Sequence, residues 1–245
     1  MRNYMKVLAI GLMLALFGVA SGNAQTYTQI APTNPGYVNV SGVPGTFASK
    51  RDSTSGTGTA ETTAQIGMLI VSSNFAIYRS FATFQIPELA SADACTLYFY
   101  GSADNSDTDF EVYIHTASNY GTIDVLDYIK FDGRTVGSAH TGSILNATWN
   151  SSSYSANWNK IIFNAAGLDT LKVYSGKPLY LAMISKEDYI NSQPAGNERV
   201  TFLYVSSVPY LALSYTPGGW SGTIGNLTNP AAVGAYSKTE IKEIR

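Results

Sequence analysis

Asp104, Asp107 and Asp109 stand close together in the stretch Ser-Ala-Asp-Asn-Ser-Asp-Thr-Asp. Calcium takes about six to eight oxygen ligands from carboxylates, amides and carbonyls, and a tight acidic turn offers several at once. The stretch lacks the central glycine and distal glutamate of a helix-loop-helix calcium loop. It reads equally as a solvated hairpin turn in which Asp and Asn satisfy backbone donors. A second stretch, Asn-Ala-Thr-Trp-Asn-Ser-Ser-Ser-Tyr-Ser-Ala-Asn-Trp-Asn, sets Trp149, Tyr154 and Trp158 among Asn146, Asn150, Asn157 and Asn159. Flat rings present a large apolar face and amides read hydroxyls, which is what holding a sugar needs. The same residues also suit a polar loop pinned to a scaffold by its aromatics, and Trp158, which opens a strand, reads as core. If these rings pack inward, the strand tyrosines Tyr98, Tyr100 and Tyr113 are the next recognition surface to consider. Arg79 carries a fork of donors that is always charged. It either clamps a ligand carboxylate or a neighbouring subunit at a sheet rim, or pins strand to loop from within.

The chemistry that is missing narrows the field. The sequence holds no nucleophile elbow, phosphate loop, zinc-protease helix or dinucleotide fingerprint. One cysteine closes no intramolecular disulfide, and two histidines leave little for a metal centre. His115, on an alternating strand, and His140, in a Gly/Ser loop, read as surface polar groups. The chain is therefore read as no enzyme, with a polysaccharide-active hydrolase as the weakest alternative, since two carboxylates brought together by folding leave no mark in local spacing.

The elements that would position these residues are short strands. In Ala76–Ile86, Ile77, Arg79, Phe81, Thr83 and Gln85 alternate with Tyr78, Ser80, Ala82, Phe84 and Ile86; apolar groups on both faces predict a strand packed on both sides, and Pro87 stops it. Ile66–Val71, Cys95–Tyr100, Phe110–Thr116, Lys160–Asn164 and Pro178–Ile184 read as further strands. Arg199–Val205 and Tyr210–Tyr215 read as a closing pair. From Thr26 to Thr63 only edge strands and loops are expected. Many strands without long amphipathic helices predict an all-β fold, an antiparallel β-sandwich of jelly-roll type.

The segments Tyr-Arg-Ser-Phe-Ala-Thr-Phe-Gln-Ile-Pro-Glu-Leu, Ala-Cys-Thr-Leu-Tyr-Phe-Tyr-Gly, Phe-Asn-Ala-Ala-Gly-Leu-Asp-Thr-Leu and Pro-Tyr-Leu-Ala-Leu-Ser-Tyr-Thr together resemble the jelly-roll modules of the DNRLRE type, similar to carbohydrate-binding β-sandwiches of exported bacterial or phage-associated proteins. The likeness spans residues 64–216. It implies a non-catalytic surface or binding module, with Arg79 at a position where such modules place an arginine. Asn164 departs from the pattern, which more often has Asp there.

Residues 1–24 read as a secretory signal peptide: Arg2 and Lys6 precede an apolar run from Val7 to Val19, with Gly22 and Ala24 at the cut. A run shorter than the ~20 residues a spanning helix needs predicts no stable membrane insertion after cleavage. Losing Arg2 and Lys6 takes the formal charge from -2 to -4, and with 13% of residues charged the chain is not a nucleic-acid binder. Residues 25–216 are the expected domain and 217–245 a flexible tail or linker. The expected protein is secreted or displayed on a cell surface. It binds a polysaccharide or surface glycan, or packs with neighbouring copies as a structural subunit of an extracellular or phage-like assembly. Trp149, Tyr154, Trp158, Asn150 and Arg79 are its candidate ligand residues, and Asp104, Asp107 and Asp109 its candidate calcium ligands.

Overall fold

The computed structural model describes residues 25–42, 44–72, 74–218, 223–224 and 227–228. The segment read as a signal peptide, residues 1–24, lies outside them, as does most of the expected tail. The chain is mostly antiparallel β-sheet, 48% strand and 14% helix, curled into a half-barrel. In chain order the strands are β1 Thr26–Ile30, β2 Thr33–Val40, β3 Gly58–Ala60, β4 Thr63–Val71, β5 Asn74–Gln85, β6 Leu89–Asp104, β7 Glu111–Thr116, β8 Trp149–Asn150, β9 Trp158–Ile162, β10 Pro178–Ser185, β11 Glu198–Leu203 and β12 Tyr210–Pro217. Among the described residues three short α-helices are interspersed, α1 Phe47–Arg51, α2 Ala165–Val173 and α3 Lys186–Ile190. In the tail, β13 Thr223–Ile224 pairs with β14 Leu227–Thr228.

Two long strands organise the sheet by each serving two partners along one edge. β5 pairs β2 on one edge, and β4 followed by β10 on the other. β6 pairs β9 on one edge, while β11 meets its end at Tyr100–Asp104 and β12 its remainder at Leu89–Tyr98. The expected closing pair is thus not a pair. β11 and β12 follow one another down the same edge of β6 and then diverge, β11 to β4 and β12 to β1. The Ser-Ser-Val-Pro break between them lets the ladder change neighbours, because proline donates no backbone hydrogen bond.

Alternation on β5 buries both faces, as its sequence predicts. Ala82 and Phe84 enter one core with Ile66, Leu97, Phe99, Val112, Leu181 and Phe202. Ile77 and Phe81 enter a second with Val38, Phe47, Met68, Tyr128 and Ile184. The β4–β5 connection is tight: Val71 pairs Asn74, and Ser72 takes a φ of 50°, the left-handed conformation a two-residue hairpin favours. Gly67 is glycine for a harder reason. Its φ is +113°, and a Cβ there would stand 1.8 Å from the Glu198 carbonyl oxygen of β11.

α2 forms where the Phe-Asn-Ala-Ala-Gly segment supplies a cap. The Asn164 side chain accepts from the Gly167 N–H at 2.9 Å and donates to the carbonyls of Ile144 and Asn146 at 2.9 and 3.0 Å. Aspartate caps helices as well as asparagine but has no N–H to donate. Asn164→Asp is therefore expected to lower stability by about 1–3 kcal/mol, the cost of leaving partly buried acceptors unpaired, read as a lower midpoint in chemical denaturation at pH 7.

Candidate functional site

The face of the sheet formed by β1, β12, β6 and β9 looks outward and is aromatic. On β6, Leu97 and Phe99 point into the core, so Tyr98 and Tyr100 point away from it. β9 alternates Trp158, Lys160 and Ile162 outside with Asn159 and Ile161 inside. Register then fixes the neighbours. Tyr98 lies between Lys160 and Tyr210, and Tyr100 opposite Trp158. Tyr27 of β1, 64% exposed, joins the same side opposite Ser214.

Tyr98 and Tyr210 stack with centroids 4.7 Å apart and planes 11° from parallel. Trp158 stands edge-on to both Tyr210, at 5.3 Å, and Tyr100, at 5.5 Å, and remains 38% exposed. The Lys160 ammonium rests 5.7 Å from the Tyr98 ring centre. Burial, with the neighbouring phenols Tyr98 and Tyr27, raises the Tyr210 hydroxyl above its ordinary pKa. The hydroxyls of Tyr98, Tyr100 and Tyr210 have no hydrogen bond to the chain among the described residues. Rings clamped by one another on rigid strands present apolar surface and free hydroxyls at little entropic cost.

The Trp/Asn stretch itself is mostly scaffold. Trp149 is 6% exposed and packs edge-on against Phe202, and the half-buried Tyr154 ring packs against the same residue. Tyr154 donates its hydroxyl to the Thr201 carbonyl, and burial, with Asp104 nearby, pushes it up to about 12. Gly101 permits this, since a Cβ there would meet the Tyr154 ring at 2.8 Å. Asn150 caps the short turn Ser151–Ser153 by accepting from the Ser152 N–H. Asn146 and Asn159 are buried and spend their amides on backbone groups. Of the three rings Trp158 is the most exposed, where the sequence reading put it in the core. Of the strand tyrosines, Tyr113 instead packs edge-on against Tyr189 and donates to Glu111.

Arg79 is completely buried beside Tyr128 and Phe131 of the second core, on the Ile77 and Phe81 face of β5, out of reach of a surface ligand. Its guanidinium grips Asp188 through two bonds of 2.7 and 2.8 Å and donates to the carbonyls of Tyr128 and Arg51. The Tyr128 ring lies 3.9 Å from its carbon. Burial alone would raise the Asp188 carboxyl, but the Arg79 charge and the hydrogen bonds from His140 and Arg79 hold it well below the usual carboxylate range. Arg51, also fully buried, adds a bond to the Asp188 carbonyl. Both histidines are interior rather than surface groups. His140 lies 3.3 Å from Asp188, and His115 stacks on Tyr189, its pKa pushed down to about 4 by burial.

The three aspartates of the acidic stretch aim at different partners. Asp104 accepts from the Ser106 N–H and hydroxyl, Asp107 from the Asn197 N–H and Asp109 from the Ser151 hydroxyl. They do not form a common ligand set, and no group of three or more His, Cys, Asp or Glu among the described residues is arranged to hold a metal ion. Two clusters were not visible in local sequence: Arg79–Asp188–Arg51–His140, and a carboxyl pair, Glu187 with Glu198. The outer aromatic face had a partial signal in the Tyr-Phe-Tyr alternation at residues 98–100. Compared with known proteins, the chain matches no family model and no curated protein.

Proposed function

We propose that the protein is an exported, non-catalytic binding module of the jelly-roll β-sandwich type that holds a glycan on the outer face of β1, β12, β6 and β9. The observation that carries this reading is the gathering of Tyr27, Tyr98, Tyr100, Trp158 and Tyr210 on one face, with Trp158 38% and Tyr27 64% exposed. Aromatic surface of this extent is normally buried. Placed on strands rather than loops, it offers a fixed platform for the apolar face of a pyranose ring, with phenol hydroxyls at its border. The resemblance to DNRLRE-type modules points the same way, and a sheet with a core on each face is compatible with the jelly-roll description.

The Glu187 and Glu198 carboxyl pair is not arranged as a glycosidase pair. Glycosidases separate their two carboxyl groups by about 5–9.5 Å across an accessible site, whereas Glu187 and Glu198 turn enclosed oxygens towards each other. A second reading, a structural subunit of an assembly, is favoured by Ile162, 57% exposed on the same face, and by Val205 and Val208, 67% and 47% exposed before β12. Purified chain from residue 25 on a glycan array, with a size measurement alongside, separates the two. Glycan signals from a monomer are expected; concentration-dependent assembly without any glycan signal moves the function to packing between copies.

A further inference from the structure

Glu187 lies in the first turn of α3 and Glu198 opens β11. Glu198 is 6% exposed. One oxygen of each carboxyl, Oε2, is sealed from solvent and receives no hydrogen bond from another donor of the chain among the described residues. The other Glu198 oxygen accepts from the Thr108 hydroxyl at 3.2 Å. Thr108 belongs to the acidic loop, which is laced to the start of β11: Asn105 N–H donates to the Arg199 carbonyl, Asp107 N–H to the Asn197 carbonyl, and Asn197 N–H back to the Asp107 carboxylate.

The charged groups around the pair do not neutralise it. Lys186 is taken by Glu111 of β7 at 2.7 Å, and Arg199 reaches Gln65 and Asn105. Asp188, next to Glu187, is turned into Arg79; Asp107 and Asp109 of the acidic loop accept from Asn197 and Ser151. Tyr113, the remaining titratable neighbour of Glu187, is itself raised, by burial first and then by Glu111. Glu198 is buried and Glu187 half-buried, each with an enclosed oxygen, and two carboxyl groups so placed together cannot both ionise cheaply.

We propose that Glu187 and Glu198 share one proton and act as a pH-sensitive latch that ties α3 to β11 and the acidic loop, and that loss of the proton releases them. Burial, then the charge and hydrogen bond of Glu187, push the Glu198 carboxyl up to about 8. The unfolded chain gives up that proton near the ordinary value of about 4.3. Folding therefore holds a proton that unfolding releases, so the stabilisation is complete below that value, declines as pH rises towards about 8 and then levels off.

The test compares the melting midpoint of the unaltered chain and of Glu198→Gln from pH 5 to 9.5, in chelator so that no cation substitutes for the proton. Glutamine supplies the N–H that the bridging proton provides, so the variant should gain on the unaltered chain by several degrees between pH 5 and 8, with the gap constant beyond. Above pH 8 the amides of Asn105 and Asp107 should exchange faster in the unaltered chain than in the variant at the same pH. Parallel melting profiles overturn the proposal. Should Glu198→Gln not fold, carbon-detected NMR of the glutamate carboxyls in the unaltered protein decides: one titration near 8 is expected, and all of them finishing below about 5.5 contradicts it.

Discussion

Replacing Arg79 by alanine is expected to lower stability by about 3–5 kcal/mol, because it strands the fully buried Asp188 carboxylate without its principal partner. Asp188 is fully buried, and its other neighbours are Arg51, at 3.5 Å, and His140, at 3.3 Å. The carbonyls of Tyr128 and Arg51 lose their donors as well. For a chain of this size the melting midpoint should drop by roughly 6–20 °C. The pair itself is not the source of that number. Burying both charges costs nearly as much as their attraction returns, so Arg79→Met with Asp188→Leu should be markedly more stable than Arg79→Ala alone. Arg79→Lys keeps the charge but loses the two-pronged grip, and should fall between. An unchanged midpoint in Arg79→Ala would mean that the cluster is not a structural hub.

The extent to which this fold is legible in sequence follows from how local each determinant is. The strand Ala76–Ile86 announces itself because apolar residues on both of its faces meet cores on both of its faces. α1 hides in a Ser/Thr/Gly-rich stretch where its one cue is Thr46, which accepts from the Ser49 N–H. Arg79 is conspicuous on its strand, but its partner Asp188 is 109 residues away and the sequence marks no connection. Glu187 and Glu198 are likewise joined by packing alone. The two tryptophans show how phase decides exposure. Both open short strands, yet Trp149 turns into the core, whereas β9 turns Asn159 and Ile161 inward and leaves Trp158 outside. With a polar Asn on the inner side and an Ile on each, the stretch Trp-Asn-Lys-Ile-Ile does not disclose its phase.

Loss of both Trp158 and Tyr98 should have the largest effect on recognition. Each anchor ring is worth about 1–3 kcal/mol of binding, so Trp158→Ala with Tyr98→Ala should weaken a glycan by roughly 30-fold or more. Because Trp158 is 38% exposed and Tyr98 half-buried, stability should change far less than on replacing a core ring. Trp149→Ala should do the reverse. It leaves a cavity beside Phe202, costs about 3–5 kcal/mol of stability and leaves the affinity of the folded fraction intact.

The outer face is tested most directly by titrating the isotope-labelled chain with the oligosaccharide selected on the array and following the tryptophan indole N–H signals. The account predicts that the Trp158 signal shifts progressively to saturation, together with the backbone amides of Tyr98, Tyr100 and Tyr210, while the Trp149 signal stays in place. Saturable binding that leaves Trp158 and those amides unmoved would contradict it and place the recognition surface elsewhere on the protein.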